Sequence, residues 1–560
     1  MEGIYGRYFK ENFDEEGNLK SVSIDYDDNF NFSYDILDEI AARYPDDLAI
    51  IWCDDFGNEK KITFKEMKEM SNRVANFFIS KGVKYGDFVL VILKRNFEYW
   101  YILNALAKIG AVLVPATHML SSMDLKYRIE LLDSKFLVFT NQNDLPERIF
   151  SVLDETRKNI VSFSVKGAYR DSIDIFKDIY SYSSSLERVK TKVNDPMLCY
   201  FTSGTTGLPK LVQHSFSYPL AHIMTAKYWQ RASRGGIHFT VSDTGWGKAA
   251  WGKIYGQWAV GSTVMVYDYE KFYPEKMLNV IEKYNVTTFC APPTVYRFFI
   301  KQGLLNRNVS SVKHVATAGE ALNPEIINQF KKATGLEIMA GFGQTETTLV
   351  LFNGKETKDK IGSIGKASLL YDVVLVDEDG NEVQKNEEGE ICIKLDKENQ
   401  IGLFIGYYKD EKANEYAMRD GLYHTGDVAI CDEDGFFWYV GRKDDIIKSS
   451  GYRIGPFEVE SVLIEHPAVL ECGVVGVYDD VRGQLVKANV VLTSNFKPSL
   501  ELSKELQEFV KKRTAPYKYP RIIEFVEKLP KTISGKIKRK VLREEYDNLI
   551  KTEIHIKNKN

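Results

Sequence analysis

The chain has 560 residues, more than a single hydrophobic core organises, so at least two domains with a cleft between them are expected. Hydrophobic residues make up 44% and charged residues 27%, with 74 Lys and Arg against 78 Asp and Glu; this excludes a disordered or fibrous chain and any whole-molecule field suited to nucleic acid or an anionic membrane. The opening MEGIYGRYFKENFDEEG has no apolar signal core, no run reaches the roughly 18 apolar residues of a membrane span, and Cys53, Cys199, Cys290, Cys392, Cys431 and Cys472 lack metal-ligand spacing, so a cytoplasmic protein with buried thiols and no zinc site is expected.

In chain order, a helix is expected over 63–80, where Phe64, Met67, Val74, Phe77 and Phe78 recur at helical spacing and Gly82 suits the exit. Unbroken apolar runs at 88–93, 136–139 and 264–267 alternate with longer amphipathic stretches, the α/β pattern of buried strands between helices.

The segment Tyr200-Phe201-Thr202-Ser203-Gly204-Thr205-Thr206-Gly207-Leu208-Pro209-Lys210 follows an apolar run. Glycines let backbone N–H groups approach an anion, hydroxyls add donors and Lys adds charge, the makings of a phosphate cradle. It is not a Walker loop, because Gly204 and Gly207 are too close and Lys210 adjoins no glycine.

Farther on, Gly341-Phe342-Gly343-Gln344-Thr345-Glu346-Thr347 joins an aromatic face to permissive glycines and one carboxylate. From about 362 short strands broken by turns, among them Asp379-Gly380 and Gly389-Glu390, form a β-rich texture. Tyr423-His424-Thr425-Gly426-Asp427 puts a carboxylate after a glycine, and the charged Arg442-Lys443-Asp444-Asp445 precedes a compact stretch that again mixes helix and strand. The basic run around Lys536 has the pattern of a solvated face, but Gly535 beside Lys536 lets a loop tip enter a narrow cleft. The terminal IHIKNKN is expected to fray.

Taken in this order, YFTSGTTGLPK, GFGQTET, YHTGD, GRKDD, SSGYRIGP and LPKTISGKIKR resemble the adenylate-forming superfamily of acyl-CoA synthetases, luciferases and peptide-synthetase adenylation domains. SDTGWGKAAWGK at 242–253, SSGYRIGPFEVE at 449–460, EHPAV at 465–469 and APYKYPR at 515–521 look like the medium-chain acyl-CoA synthetases, with acetyl-CoA synthetases as close cousins.

The resemblance implies an α/β protein. A large N-terminal adenylation domain of several subdomains would span 1–443, its β-rich part at about 362–443, followed by a small mobile α+β lid over 444–560 that swings about Asp444. It implies conversion of a carboxylic acid, ATP and CoA to acyl-CoA, AMP and diphosphate through an acyl-adenylate. The alternatives are an acetyl-CoA synthetase or an adenylating ligase serving a carrier thiol. Small molecules would be the partners, with neither nucleic acid nor membrane, and the protein would be a monomer or homodimer.

At matching positions the resemblance implies that Thr202, Ser203, Gly204, Thr205, Thr206, Gly207 and Lys210 hold the leaving phosphates. Phe342 would lie near adenine, with Gly341 and Gly343 also on ATP, Gln344 and Thr345 near the α-phosphate, and Glu346 on Mg²⁺ that arrives with ATP. Asp427 would take the ribose hydroxyls beside Arg442, and Arg453 would reach the nucleotide. Lys536 would bridge the acid and the α-phosphate, sharing the catalysis with Thr345 and Arg442. Ser450, Gly451, Tyr452, Arg482, Lys511, Tyr519 and Arg521 would contact CoA.

Gly343 stands where acetate-specific relatives carry a tryptophan, and the missing side chain is expected to leave room. At roughly 0.8 kcal/mol per buried methylene, a deeper pocket favours a medium-chain, branched short-chain or aromatic acid. Trp246 is expected to wall this pocket, with Lys248 nearby.

Overall fold

A computed structural model of the chain describes residues 2–557 except 203–207, 304–306, 308, 321, 355–359, 396–400 and 533–534. The expected helix runs Phe64–Ser80 and buries Phe64, Met67, Val74, Phe77 and Phe78. The Thr63 hydroxyl caps it by accepting the Glu66 N–H at 3.1 Å, and Gly82, at φ +86°, turns the chain away from its end. Each such apolar side chain contributes roughly 1.5–3 kcal/mol, so packing more than propensity holds the helix.

The apolar runs become central strands of two sheets. Phe88–Ile92 lies between Val112–Ala116 and Phe136–Thr140, all parallel, in an eight-stranded sheet. Thr263–Asp268 lies between Ile237–Thr240 and Leu48–Asp54, also parallel, in a nine-stranded sheet. Both faces of these strands are covered, which is why their sequences do not alternate. One apolar core holds residues of both sheets, among them Val89, Val91, Val264 and Val266.

Val373–Val376, Glu388–Lys394, Leu422–Cys431 and Phe437–Arg442 form the antiparallel, β-rich part. Asp379-Gly380 makes a turn, but Gly389-Glu390 does not: both lie inside Glu388–Lys394. Gly389 is small there because a Cβ would fall 2.8 Å from the Leu375 side chain.

After the short helix Lys443–Asp445, the chain builds a sheet of its own from Ile447–Ser449, Tyr452–Ile454, Val469–Asp479, Gly483–Leu492 and Ile522–Phe525. Helices Pro456–Glu465 and Leu500–Arg513 close a separate core that includes Val459, Leu463, Val474, Val486 and Leu506. A large N-terminal domain thus carries a smaller C-terminal one. The last helix, Arg539–Lys557, continues into the segment expected to fray. No helix among the described residues is long and apolar enough to cross a membrane.

Candidate active site

The phosphate-cradle segment joins two antiparallel strands, Pro196–Phe201 and Leu211–Ser215. Its stem is closed by Thr202, whose N–H donates to the Lys210 carbonyl at 2.8 Å and whose hydroxyl accepts the Lys210 N–H at 3.1 Å. Ser203, Gly204, Thr205, Thr206 and Gly207 lie outside the described residues. The Lys210 ammonium stands 4.7 Å above the Tyr407 ring, at the edge of a cavity of about 520 Å³.

The smaller domain lines the same cavity with Gly535 and Lys536. Thr532 N–H donates to the Lys536 carbonyl at 2.7 Å and Gly535 N–H to the Thr532 carbonyl at 2.9 Å, a tight turn that Gly535 enters at φ +94°. A Cβ on Gly535 would lie 3.6 Å from Glu320 of the larger domain, so the loop tip reaches across.

Between them sits a buried carboxylate. Strand pairing sets Asp427 opposite Arg442, and the Arg442 guanidinium donates to Asp427 Oδ2 at 3.0 Å and to the Thr425 carbonyl at 2.9 Å. Gln344 Nε2 donates to the same Oδ2 at 2.5 Å and to the Thr425 carbonyl at 2.7 Å, while Tyr439 Oη donates to Oδ1 at 2.9 Å. Tyr423 Oη in turn donates to Gln344 Oε1 at 2.6 Å. Burial works against the Arg442 charge, but Asp427 and Tyr439 more than offset it and hold the guanidinium above its ordinary pKa. Phe342 faces Tyr439 with ring centroids 6.4 Å apart. Gly341 must be glycine, because a Cβ would fall 2.6 Å from the Trp229 indole.

Thr345 and Glu346 follow in the same loop. The Thr345 carbonyl lies 2.8 Å from His214 Nε2, and a carbonyl only accepts, so that nitrogen carries the proton. Complete burial lowers the His214 pKa to about 4 and keeps the ring neutral. Glu346 accepts the Tyr407 hydroxyl at 2.9 Å. Desolvation pushes its carboxyl up, opposed by that hydrogen bond and by the Arg442 and Lys536 charges. A single carboxylate that keeps part of its surface open to the cavity fits the way Mg²⁺ binds, through one or two carboxylates and substrate phosphates.

The acyl end departs from expectation. A Cβ at Gly343 would lie 2.4 Å from the Trp251 ring and 2.3 Å from the Thr348 carbonyl, so the missing side chain leaves no empty space. Trp251, 5% exposed, fills it and meets Trp229 edge to face at 6.1 Å. Trp251 is thus the ring that packs against Gly343, while Trp246, expected to wall the pocket, lies five residues earlier and is partly exposed. Lys248 donates to the Ala318 carbonyl at 2.9 Å; burial lowers its pKa, and the charges of Glu320 and Lys536 reach it.

Arg453 and the positions expected to contact CoA lie outside this cavity. Arg453 donates to Glu378 at 2.6 Å and approaches Glu388 at 3.7 Å, so in this arrangement it faces the β-rich part and not the cavity, where the resemblance would place the nucleotide. Ser450 (φ +53°) and Gly451 (φ +82°) make a sharp turn whose Ser450 N–H donates to the Arg482 carbonyl at 2.9 Å. Tyr452 stacks on Tyr517 at 4.0 Å, and the charges of Lys511 and Arg521 stand 4.3 and 4.8 Å over Tyr519. This face of the smaller domain mixes aromatic rings and cations. Asp444 lies in the short helix Lys443–Asp445 at the cavity edge.

Sequence reasoning missed His214, Tyr407, Tyr423, Tyr439, Trp251 and Glu390. Tyr423, Thr425 and Asp427 sit at alternate positions of one strand, and that period of two was the available signal for Tyr423. The others carry none, because each resembles an ordinary core or strand residue until its partner strand is placed.

Residues 37–408 match the AMP-binding enzyme family, and residues 458–536 match the AMP-binding enzyme C-terminal domain. The chain is 40% identical over 527 residues to the human acyl-coenzyme A synthetase ACSM4, mitochondrial, covering 92% of this chain and 90% of that protein. It is 38% identical over 546 residues to the mouse acyl-coenzyme A synthetase ACSM3, mitochondrial, covering 96% and 94%. Among solved structures, an acyl-CoA synthetase from Brucella canis superposes with a TM-score of 0.70 at 32% identity, covering 92% of this chain and 94% of that one. The anthranilate CoA ligase AuaEII in complex with anthranoyl-AMP superposes with a TM-score of 0.84 at 26% identity, covering 93% and 98%.

Proposed function

Because the chain belongs to the AMP-binding enzyme family and is an AMP-forming acyl-CoA synthetase, we propose that it joins a short or branched monocarboxylic acid to CoA in the cavity between its two domains. The observation that carries the site assignment is that Lys536 of the smaller domain and the Gln344, Asp427 and Arg442 cluster of the larger one line a single cavity.

In the first step a carboxylate oxygen attacks the α-phosphorus of ATP, the new P–O bond forms and the bond to diphosphate breaks. Two anions approach, so fixed cations must offset the charge that builds. Lys536 stands at the acid and α-phosphate, Lys210 at the leaving phosphates, and Asp427 with Arg442 holds the ribose. Mg²⁺ brought by ATP would be held by Glu346 and would neutralise phosphate charge. In the second step the CoA sulfur attacks the acyl carbonyl carbon and AMP leaves. Ser450, Gly451, Tyr452, Arg482, Lys511, Tyr519 and Arg521 lie off the cavity in the present arrangement, which supports a lid (444–560) that turns about Asp444 between steps.

The acid class rests on Trp251. Its ring closes the space before Gly343, which favours short or branched chains over long linear ones. The six cysteines are free and buried, which supports a reducing compartment. The test is a panel from acetate to decanoate, with 2-methylbutyrate and benzoate, scored for AMP and thioester with and without CoA. A short or branched optimum with CoA-dependent thioester release is expected. An optimum at decanoate or benzoate overturns the acid class, and AMP release indifferent to CoA overturns the choice of acceptor.

A further inference from the structure

Glu390 is 5% exposed in the strand Glu388–Lys394, and the steps above give it no task. Its two oxygens serve two parts of the site. Oε1 accepts the backbone N–H of Gly426 at 3.0 Å, and Gly426, in the left-handed region at φ +71°, aims the next residue, Asp427, into the cavity. Oε2 accepts the Lys443 ammonium at 2.9 Å, immediately before Asp444.

Glu390, Cys392 and His424 have the composition of a metal site, with ligand atoms within 4.8 Å of one another. The place of a cation is already filled. Lys443 holds Oε2, and Arg419 donates to His424 Nδ1 at 3.0 Å while standing 4.0 Å from Glu390. Burial alone would raise the Glu390 carboxyl, but the Lys443 ammonium holds it below its ordinary value, so the carboxylate is charged.

We propose that Glu390 is a positioning residue that ties the Gly426-Asp427 turn to Lys443, the last residue before the hinge, and so fixes the larger-domain base from which the smaller domain presents Lys536 to the cavity. The proposal rests on the acyl-CoA synthetase reading and on a hinge at Asp444. Breaking the Lys443 contact frees the hinge and shifts the population away from the adenylating arrangement. The thioester step, which needs the other arrangement, is unaffected.

Glu390→Gln tests this, because the amide keeps an oxygen for the Gly426 N–H and loses the charge that holds Lys443. Lys443→Gln approaches the same contact from its more exposed partner, whose side chain is 32% exposed, and keeps the test open should the buried variant fold poorly. Adenylation is read as acid-dependent exchange of diphosphate into ATP, and the second step as thioester formation from supplied acyl-AMP. Each variant is expected to slow adenylation roughly five- to tenfold, with the KM for ATP and the second step unchanged, and the double variant to be no worse than either single one. Equal loss in both steps, no loss in either, or additive losses in the double variant overturns the clamp. Wild-type protein run alongside separates the two ideas: if it forms neither acyl-AMP nor thioester, the functional reading falls and the clamp with it.

Discussion

The indole of Trp251 occupies the volume a side chain on Gly343 would need, with the ring 2.4 Å from where that Cβ would stand. Two residues far apart in sequence thus pack against each other, and under the proposed function they set one dimension of the acyl pocket. Trp251→Ala should extend the preferred acid, with a gain of about fourfold in kcat/KM per added methylene until the new space is filled. It should also cost about 3–5 kcal/mol of stability, as for other buried aromatic truncations. An unchanged ranking of acids in the variant would remove Trp251 from the pocket.

Gly343→Ala makes the opposite change. The added methyl meets the Trp251 ring and the Thr348 carbonyl, and a carbonyl on the backbone cannot easily give way. A loss of about 1–3 kcal/mol in thermal unfolding is expected, together with reduced turnover of branched acids. A melting temperature equal to that of the wild type would contradict the close packing.

Asp427 gathers Gln344, Tyr439 and Arg442 on one carboxylate. Asp427→Ala leaves the Arg442 charge without its carboxylate and, under the proposed function, removes the acceptor for ribose. Losing one member of a buried charge pair costs roughly 2–5 kcal/mol, and the lower end applies because the Arg442 side chain is 36% exposed. Isothermal titration with ATP should register about a thirtyfold weakening; unchanged affinity would place the ribose elsewhere.

Acid should destabilise the fold before carboxylates protonate. His214, His238 and His314 are held at about 4, 3 and 4 by burial, with like-charged neighbours adding to the effect at His238 and His314. Unfolded, each binds a proton near pH 6.5, so the unfolded state carries more protons below that value. Stability is therefore full above pH 6.5 and declines as pH falls toward about 4, by up to about 1.4 kcal/mol per pH unit for each histidine. Melting temperatures that stay flat from pH 7 to 5 would contradict the neutral, buried rings.

The helix Phe64–Ser80 was legible because its apolar spacing and its Gly82 exit agree, and the Thr63 cap found in the structure fixes its start. The central strands were legible as unbroken apolar runs because helices cover both their faces. Lys210, Glu346, Asp427, Arg442 and Lys536 stand out as motifs, and one cavity collects them. Gly343 misled because an absent side chain reads as space until a neighbour is placed, and Trp251 comes from another element. Arg453 carries no sequence sign of its partner here, Glu378, which lies on a different domain. Glu390 gave no sign of its contacts, since Gly426 lies in another strand and Lys443 in the short helix after a third, brought together only in three dimensions.

One active centre is held to serve both half-reactions, with Lys536 needed only while it faces the nucleotide. Lys536→Ala, assayed separately for acid-dependent diphosphate exchange and for thioester formation from supplied acyl-AMP, examines that claim at its source. Exchange should fall by roughly a hundredfold or more, the scale for removing one group that stabilises transition-state charge, while thioester formation persists. Exchange at the wild-type rate would contradict it.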